Sequence, residues 1–321
     1  MSQVEWGDIA VARGRIAAHV HRTAVVTCSS VDRRSGATVF FKCENLQRTG
    51  SFKFRGATNA VLALPGDARA RGVYAHSSGN HAQALALAAK RAGVPAYLVM
   101  PENSTPVKVE ATRGYGAQVR FCPPTHEGRQ RVAAQVGEET GATFVHPHDD
   151  PAVIAGQGTA VCELIEEVGA LDLVLVPVGG GGLLSGTAIA LLHVCPGAEA
   201  VGCEPAAADD AYRSLQSGRR ITEFTQHTMA DGLRTPLGEN AFQIIRQHVR
   251  RIVRVEEESI PAAMRFFWER AKLVIEPSSA VAVAPLLDGG LDVEGKRVGV
   301  VLSGGNADLA WVSEGVRPNE R

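Results

Sequence analysis

The segment VPVGGGGLLSGT, Val176 to Thr187, runs from an apolar strand through four consecutive glycines into a helix. Bare backbone N–H groups at a helix N-terminus form an anion site, and phosphate is its natural occupant. Two familiar phosphate loops do not fit. A Walker loop needs G-x-x-x-x-G-K-[ST]; Gly181 and Gly186 keep that spacing, but Thr187 stands where the lysine is required. The dinucleotide pattern G-x-G-x-x-G fails because Gly180 and Gly182 are followed by Ser185. A phosphate held by backbone alone suits a single monoester. The competing reading is a flexible turn, but four adjacent glycines are more than a turn needs.

Strands and helices alternate outward from this loop. Short Val/Leu-rich runs predict strands at 39–43, 72–75, 96–100, 118–122, 173–178, 200–203, 251–255 and 297–302, with alanine-rich helices at 81–92 and 151–168 between them. The runs are continuously apolar rather than alternating, so the strands are buried on both faces. Strand–helix–strand order then gives right-handed crossovers and parallel sheets covered by helices on both sides, an α/β fold. Three strands follow in quick succession between 72 and 149. That stretch is expected to be a small domain, inserted between residues 1–71 and 150–321 of a larger one. The segment HPHDDPAVIAGQG (146–158) is the crossover back. In such folds the site lies at the carboxyl ends of strands, between domains.

Composition narrows the function. The chain has 321 residues, 45% apolar and 21% charged, ordinary for a globular protein and too apolar for disorder. Its 33 basic and 34 acidic residues leave a net charge of −1, and aromatics are only 5%. Neither favours a nucleic-acid or acidic-membrane partner. The six cysteines, Cys28, Cys43, Cys122, Cys162, Cys195 and Cys203, form no C-x-x-C pair. They read as buried thiols of a reducing compartment. The start MSQVEWGDIA lacks a basic segment before an apolar run, and no stretch is long enough to span a membrane. A cytoplasmic protein is expected.

Three further segments carry polar groups at strand ends. SFKFRG (51–56) sets Lys53 between two phenylalanines after a Thr-Gly-Ser turn. Apolar surroundings disfavour an ammonium and lower its pKa, and a neutral amine can condense with a carbonyl. A lysine snorkelling from a helix end has the same pattern. AHSSGNHAQAL (75–85) crowds Ser77, Ser78, Gly79, Asn80 and His81 at a strand-to-helix junction, enough donors to hold a carboxylate. Ordinary capping by Ser78 or Asn80 is the competing reading. VLSGGN (301–306) ends the last strand with Ser303, or is simply a turn.

In this order, SFKFRG, SSGNHAQA, HPHDDPAVIAGQG, VPVGGGGLLSG, CEPAAADDAY, MADGLRTPLG, EPSSAV and SGGN resemble the pyridoxal-phosphate enzymes of fold type II. Within them the chain is similar to the serine/threonine dehydratases and serine racemases, over essentially its whole length. The resemblance implies two parallel-sheet, three-layer domains of tryptophan synthase β-like architecture, with the cofactor between them. It implies that Lys53 bonds the cofactor and Phe52 packs on its ring. Gly179, Gly180, Gly181, Gly182 and Leu183 cradle the phosphate, Asn80 contacts the ring hydroxyl, and Ser303 faces the pyridine nitrogen. Ser77, Ser78, Asn80 and His81 form the substrate-carboxylate loop. Ser78 is also an acid/base opposite the lysine in the racemase branch, and Arg129 falls at that branch's substrate-gating arginine. Glu204, the carbonyl of Ala208 and Asp210 match a divalent-cation site for Mg²⁺, Ca²⁺ or Mn²⁺. An acidic helix start is the other reading of that cluster. A homodimer is a family expectation.

Departures matter too. Pro236 stands where serine racemases have serine, and His148 replaces an asparagine near their nucleotide site, so neither contact carries over. The chain ends soon after SGGN, and no regulatory domain is expected. A hydroxyl at Ser303 stabilises a protonated pyridine less than a carboxylate would. The ring is then a weaker electron sink, and prompt loss of a β-leaving group is favoured. The expected activity is elimination of water and ammonia from L-threonine, L-serine or a related β-hydroxy amino acid. The alternatives are an amino-acid racemase or 3-hydroxyaspartate dehydratase, and then a non-catalytic cofactor-binding protein.

Overall fold

A computed structural model describes residues 4–104 and 106–308. Ten strands form two sheets: β1 (Val25–Val26), β2 (Thr38–Cys43), β3 (Val73–His76), β4 (Ala96–Pro101), β5 (Gln118–Cys122), β6 (Thr143–Phe144), β7 (Leu173–Pro177), β8 (Glu199–Pro205), β9 (Arg251–Val255) and β10 (Arg297–Leu302). The larger sheet has the order β1-β2-β10-β7-β8-β9 and the smaller the order β5-β4-β3-β6. All pairings are parallel except β1 with β2. Every predicted strand is present. β1 and β6 were not foreseen, because two residues at a sheet edge leave no periodic signal.

The continuous apolar runs divide by side-chain parity between two cores. Leu173, Leu175, Val298, Val300 and Leu302 face one side of the large sheet, while Val174, Val176 and Val301 face the other. Helices cover both sides, and the architecture is the expected three-layer α/β class. Around the small sheet, Leu98 and Met100 face one core and Val99 a smaller one on the opposite side. The six cysteines are buried free thiols. No helix among the described residues is long and apolar enough to cross a membrane.

Three helices meet behind the cleft: Lys53–Ala63, Pro151–Val168 and Gly182–Val194. Their approach depends on glycine. A Cβ at Gly156 would lie 2.6 Å from the Cα of Gly56, and one at Gly158 would lie 2.7 Å from the carbonyl oxygen of Gly186. Asp150 caps the helix Pro151–Val168 by accepting from the N–H groups of Ala152 and Val153. Beneath the first turn of Lys53–Ala63, the fully buried Arg55 guanidinium donates to Glu44 at 2.8 Å and to Glu163 at 2.7 Å. Lys42, also fully buried, pairs with Glu163 at 2.7 Å. These paired charges fix the start of the helix that carries Lys53.

Candidate active site

Lys53 is the first residue of its helix, and its position is set from outside that helix. The N–H of Phe52 donates to the carbonyl of Ser303 at 2.9 Å, and Ser51 bridges Gly304. The loop after β10 therefore holds the lysine's helix start. The Lys53 Nζ lies 5.0 Å from the centroid of the Phe52 ring and donates to the carbonyl of Pro147 at 2.9 Å. Lys53 is half-buried. Desolvation brings the amine down to about 8, against the opposing pull of Glu276.

The glycine loop follows β7. Gly181 has φ +86°, a conformation that favours glycine. A Cβ at Gly179 would lie 2.9 Å from the Cα of Leu233. Among the described residues, the N–H groups of Gly179, Gly180 and Gly181 find no acceptor in the chain, whereas that of Val178 is spent on Cys203. Orphan donors at the start of a helix fit a phosphate monoester. Leu183 is the second residue of that helix and is buried. Ser303 is 3% exposed, and its hydroxyl meets that of Ser279 at 3.1 Å.

The segment 77–81 runs from the end of β3 into the first turn of the helix Asn80–Ala92. No side chain caps that helix, so the capping alternative fails. Ser77 Oγ accepts from the N–H of Gly79 at 3.3 Å. Asn80 Nδ2 donates to both oxygens of Glu276, at 3.0 and 3.1 Å, and its Oδ1 accepts from Asn306 at 2.8 Å. Glu276, 4% exposed, is pushed up to about 7 by burial. Sequence reasoning assigned neither Glu276 nor Asn306 a role; both sit in motifs it quoted, but a buried carboxylate clamp has no local pattern. The ring of His81 is buried against the carbonyl of Val145 at 3.2 Å, and burial lowers its pKa to about 3. Arg129 is not joined to this group by any hydrogen bond or ion pair among the described residues. Its Nε is buried without an acceptor, and its charge acts on the Cys122 thiol.

The segment His146–Pro147–His148 closes the cleft between Lys53 and the glycines. His146 Nδ1 accepts from the N–H groups of His148 at 3.3 Å and Asp149 at 3.0 Å. The two imidazoles stand perpendicular, 4.5 Å apart. A Cβ at Gly180 would run into the His148 ring. His148 thus lies against the glycine loop, and Asp149 anchors this segment by accepting from the N–H groups of Glu239 and Ala241 at 2.9 Å.

The acidic cluster lies apart. Glu204 accepts from the N–H groups of Ala211 and Tyr212 at 2.9 and 2.8 Å, so the helix-start reading holds for this carboxylate. Asp210 accepts from the N–H of Leu237 at 3.0 Å, while its Oδ1 is buried without a partner. Burial raises Asp210 to about 7; burial and then the neighbouring Asp210 raise Glu204 well above the ordinary range. Ala208 closes the turn Ala206–Ala208 between them. Among the described residues no group of three or more His, Cys, Asp or Glu side chains could hold a metal ion. Of the two buried carboxylates, the orphan Asp210 Oδ1 is the oxygen left without a hydrogen bond, and oxygen is the ligand a hard cation takes.

A family model described as pyridoxal-phosphate dependent enzyme matches residues 16–304. The chain is 44% identical over 302 residues to a β-hydroxyaspartate dehydratase of Paracoccus denitrificans, covering 94% of this chain and 96% of that one. It is 46% identical over 305 residues to an L-threo-3-hydroxyaspartate ammonia-lyase of Saccharomyces cerevisiae, covering 95% and 94%. The crystal structure of serine racemase from Dictyostelium discoideum superposes with a TM-score of 0.92 at 45% identity, covering 96% of this chain and 100% of that one.

Proposed function

The chain belongs to the pyridoxal-phosphate dependent enzymes, and within that family we propose an ammonia-lyase for a β-hydroxy amino acid, with 3-hydroxyaspartate placed ahead of L-threonine and L-serine. The relatives' names move the emphasis away from threonine, which the sequence motifs had put first. The observation that carries the reading is the Lys53 amine, held at about 8 between orphan glycine donors and the uncapped loop 77–81.

Bound pyridoxal phosphate supplies an electron-withdrawing ring conjugated to the substrate Cα. In this reading Gly179, Gly180, Gly181, Gly182 and Leu183 hold its phosphate, Phe52 packs on its ring, Asn80 reaches its hydroxyl and Ser303 its nitrogen. The substrate carboxylate binds at Ser77, Ser78, Asn80 and His81, with Arg129 gating the entrance. Lys53 removes the Cα proton, and its lowered pKa supplies a neutral amine near neutrality. Ser303 adds no negative charge to the ring, so loss of the β-hydroxyl precedes reprotonation.

Racemisation is the second reading, favoured by one feature: the Ser78 hydroxyl, half-buried at the helix start, makes no hydrogen bond among the described residues and can carry a proton on the face opposite Lys53. A homodimer, the domain division at 72–149, and a Mg²⁺, Ca²⁺ or Mn²⁺ ion at Glu204, Ala208 and Asp210 belong to the same proposal. The test is a panel of L-threo-3-hydroxyaspartate, L-serine and L-threonine, following 2-oxo acid, ammonia and D-isomer. Fastest 2-oxo acid formation from hydroxyaspartate is expected. D-serine appearing faster than pyruvate would move the protein to the racemases.

A further inference from the structure

We propose that His148 is the side-chain contact of the cofactor's phosphate, closing the glycine cradle at Gly180 and taking up a proton from solvent when that anion binds. The proposal rests on the cofactor assignment and not on the choice of substrate.

The geometry comes first. The His148 ring packs on the Cα of Gly180, and its carbonyl blocks the position a Cβ would take at Gly182. The ring therefore lies against the loop whose N–H groups at Gly179, Gly180 and Gly181 lack acceptors. On its other side stands Lys53, held by the carbonyl of the preceding Pro147. An anion bound to those donors lies within the wall that His148 completes.

The titratable groups that act on the ring are all bases, and Lys53, at about 8, carries positive charge at neutral pH whereas His81 and His146, at about 3 and 4, do not. Lys53 from its helix start, His146 from the same loop, His81 from the helix Asn80–Ala92 and His76 from β3 all act on it. The nearby carboxylates are turned elsewhere. Asp149 accepts from Glu239 and Ala241, Asp150 caps the helix Pro151–Val168, Glu239 pairs with Arg220 at 2.9 Å, and Glu276 faces Asn80. Burial, and then these bases, keep the imidazole uncharged at neutral pH. A phosphate dianion reverses the sign of the local field, and the group placed to answer is the one touching the cradle. The neutral asparagine that the family resemblance implies at this position in serine racemases could donate a hydrogen bond but could not gain a proton.

The experiment uses apoprotein and pyridoxine 5′-phosphate, which carries the phosphate but no aldehyde and so cannot bond Lys53. Calorimetry at pH 7.5 in two buffers of different ionisation enthalpy counts protons taken up. Wild type should take up close to one more proton than His148→Asn, and the variant should bind about tenfold more weakly. His148→Gln should repeat this, with circular dichroism confirming the fold of both. Equal proton uptake in wild type and variants overturns the proposal. So does unchanged affinity for pyridoxine 5′-phosphate combined with a raised KM for 3-hydroxyaspartate alone, which would put the imidazole on the substrate side chain. If both variants fail to fold, wild type alone decides: affinity independent of pH between 7 and 9 overturns it. The proton count and the affinity for pyridoxine 5′-phosphate involve no turnover, so a wrong choice of substrate leaves those two results intact.

Discussion

Lys53 can act as a base only after losing its proton. At an ordinary lysine pKa that fraction is negligible at pH 7; with the amine at about 8 it is on the order of a tenth. Reaction of the apoprotein with pyridoxal phosphate should therefore quicken as pH rises and level off above about 8, followed by the visible absorption of the bound cofactor. Lys53→Ala should show no such band and no 2-oxo acid formation. A borohydride-reduced adduct on another lysine would remove the assignment. Ser78→Ala tests the opposite face: it should abolish D-isomer formation and keep much of the L-substrate lyase activity, read by chiral chromatography beside a coupled 2-oxo acid assay. Both residues could be singled out in the sequence because their motifs are local, although each motif alone also fits a snorkelling lysine or a helix cap and only their order along the chain points to these roles. Glu276 was not, since its meaning lies in Asn80 and Asn306, far away along the chain.

Helices Lys53–Ala63 and Pro151–Val168 approach each other through Gly56 and Gly156. Gly156→Ala should cost about 1–3 kcal/mol, because the new methyl meets backbone that cannot step aside. Gly14 offers the control. It lies inside the helix Trp6–Ile16 with nothing within 4 Å of an added Cβ. Gly14→Ala should stabilise by up to about 1 kcal/mol through helix propensity alone. Opposite shifts in thermal midpoint check the pair; similar shifts would show that backbone contact is not what Gly156 provides. The central strands were legible because apolar runs buried on two faces have few other homes; β5 and β9 lie at sheet edges and are buried far less than the sequence reading implied. What the sequence could not tell is which core each helix serves: Phe54, Ala57 and Val61 of the lysine's helix pack into the core of the small sheet. That choice is made by long-range packing.

At the scale of the molecule, Glu204 and Asp210 join β8 to the segment before the helix Glu239–His248, since Asp210 receives the N–H of Leu237. Asp210 sits at about 7 in the fold, above its ordinary 3.8. The folded state thus holds more protons than the unfolded chain between these values, and stability falls as pH rises through that window. A bound cation replaces those protons. Mg²⁺, Ca²⁺ or Mn²⁺ should therefore raise the thermal midpoint more at pH 8 than at pH 6, and Glu204→Ala should erase the difference. Identical melting curves with and without chelator would leave the cluster as helix capping only. The order of the large sheet has a consequence for biosynthesis. β10 lies between β2 and β7, and the loop after it grips Phe52 and Ser51. A ribosome must release β10 and the loop after it before β2 and β7 lose their open edges and before the lysine's helix start is held. A nascent chain stalled short of residue 304 is expected to be inert and prone to sticking to its neighbours through those open edges.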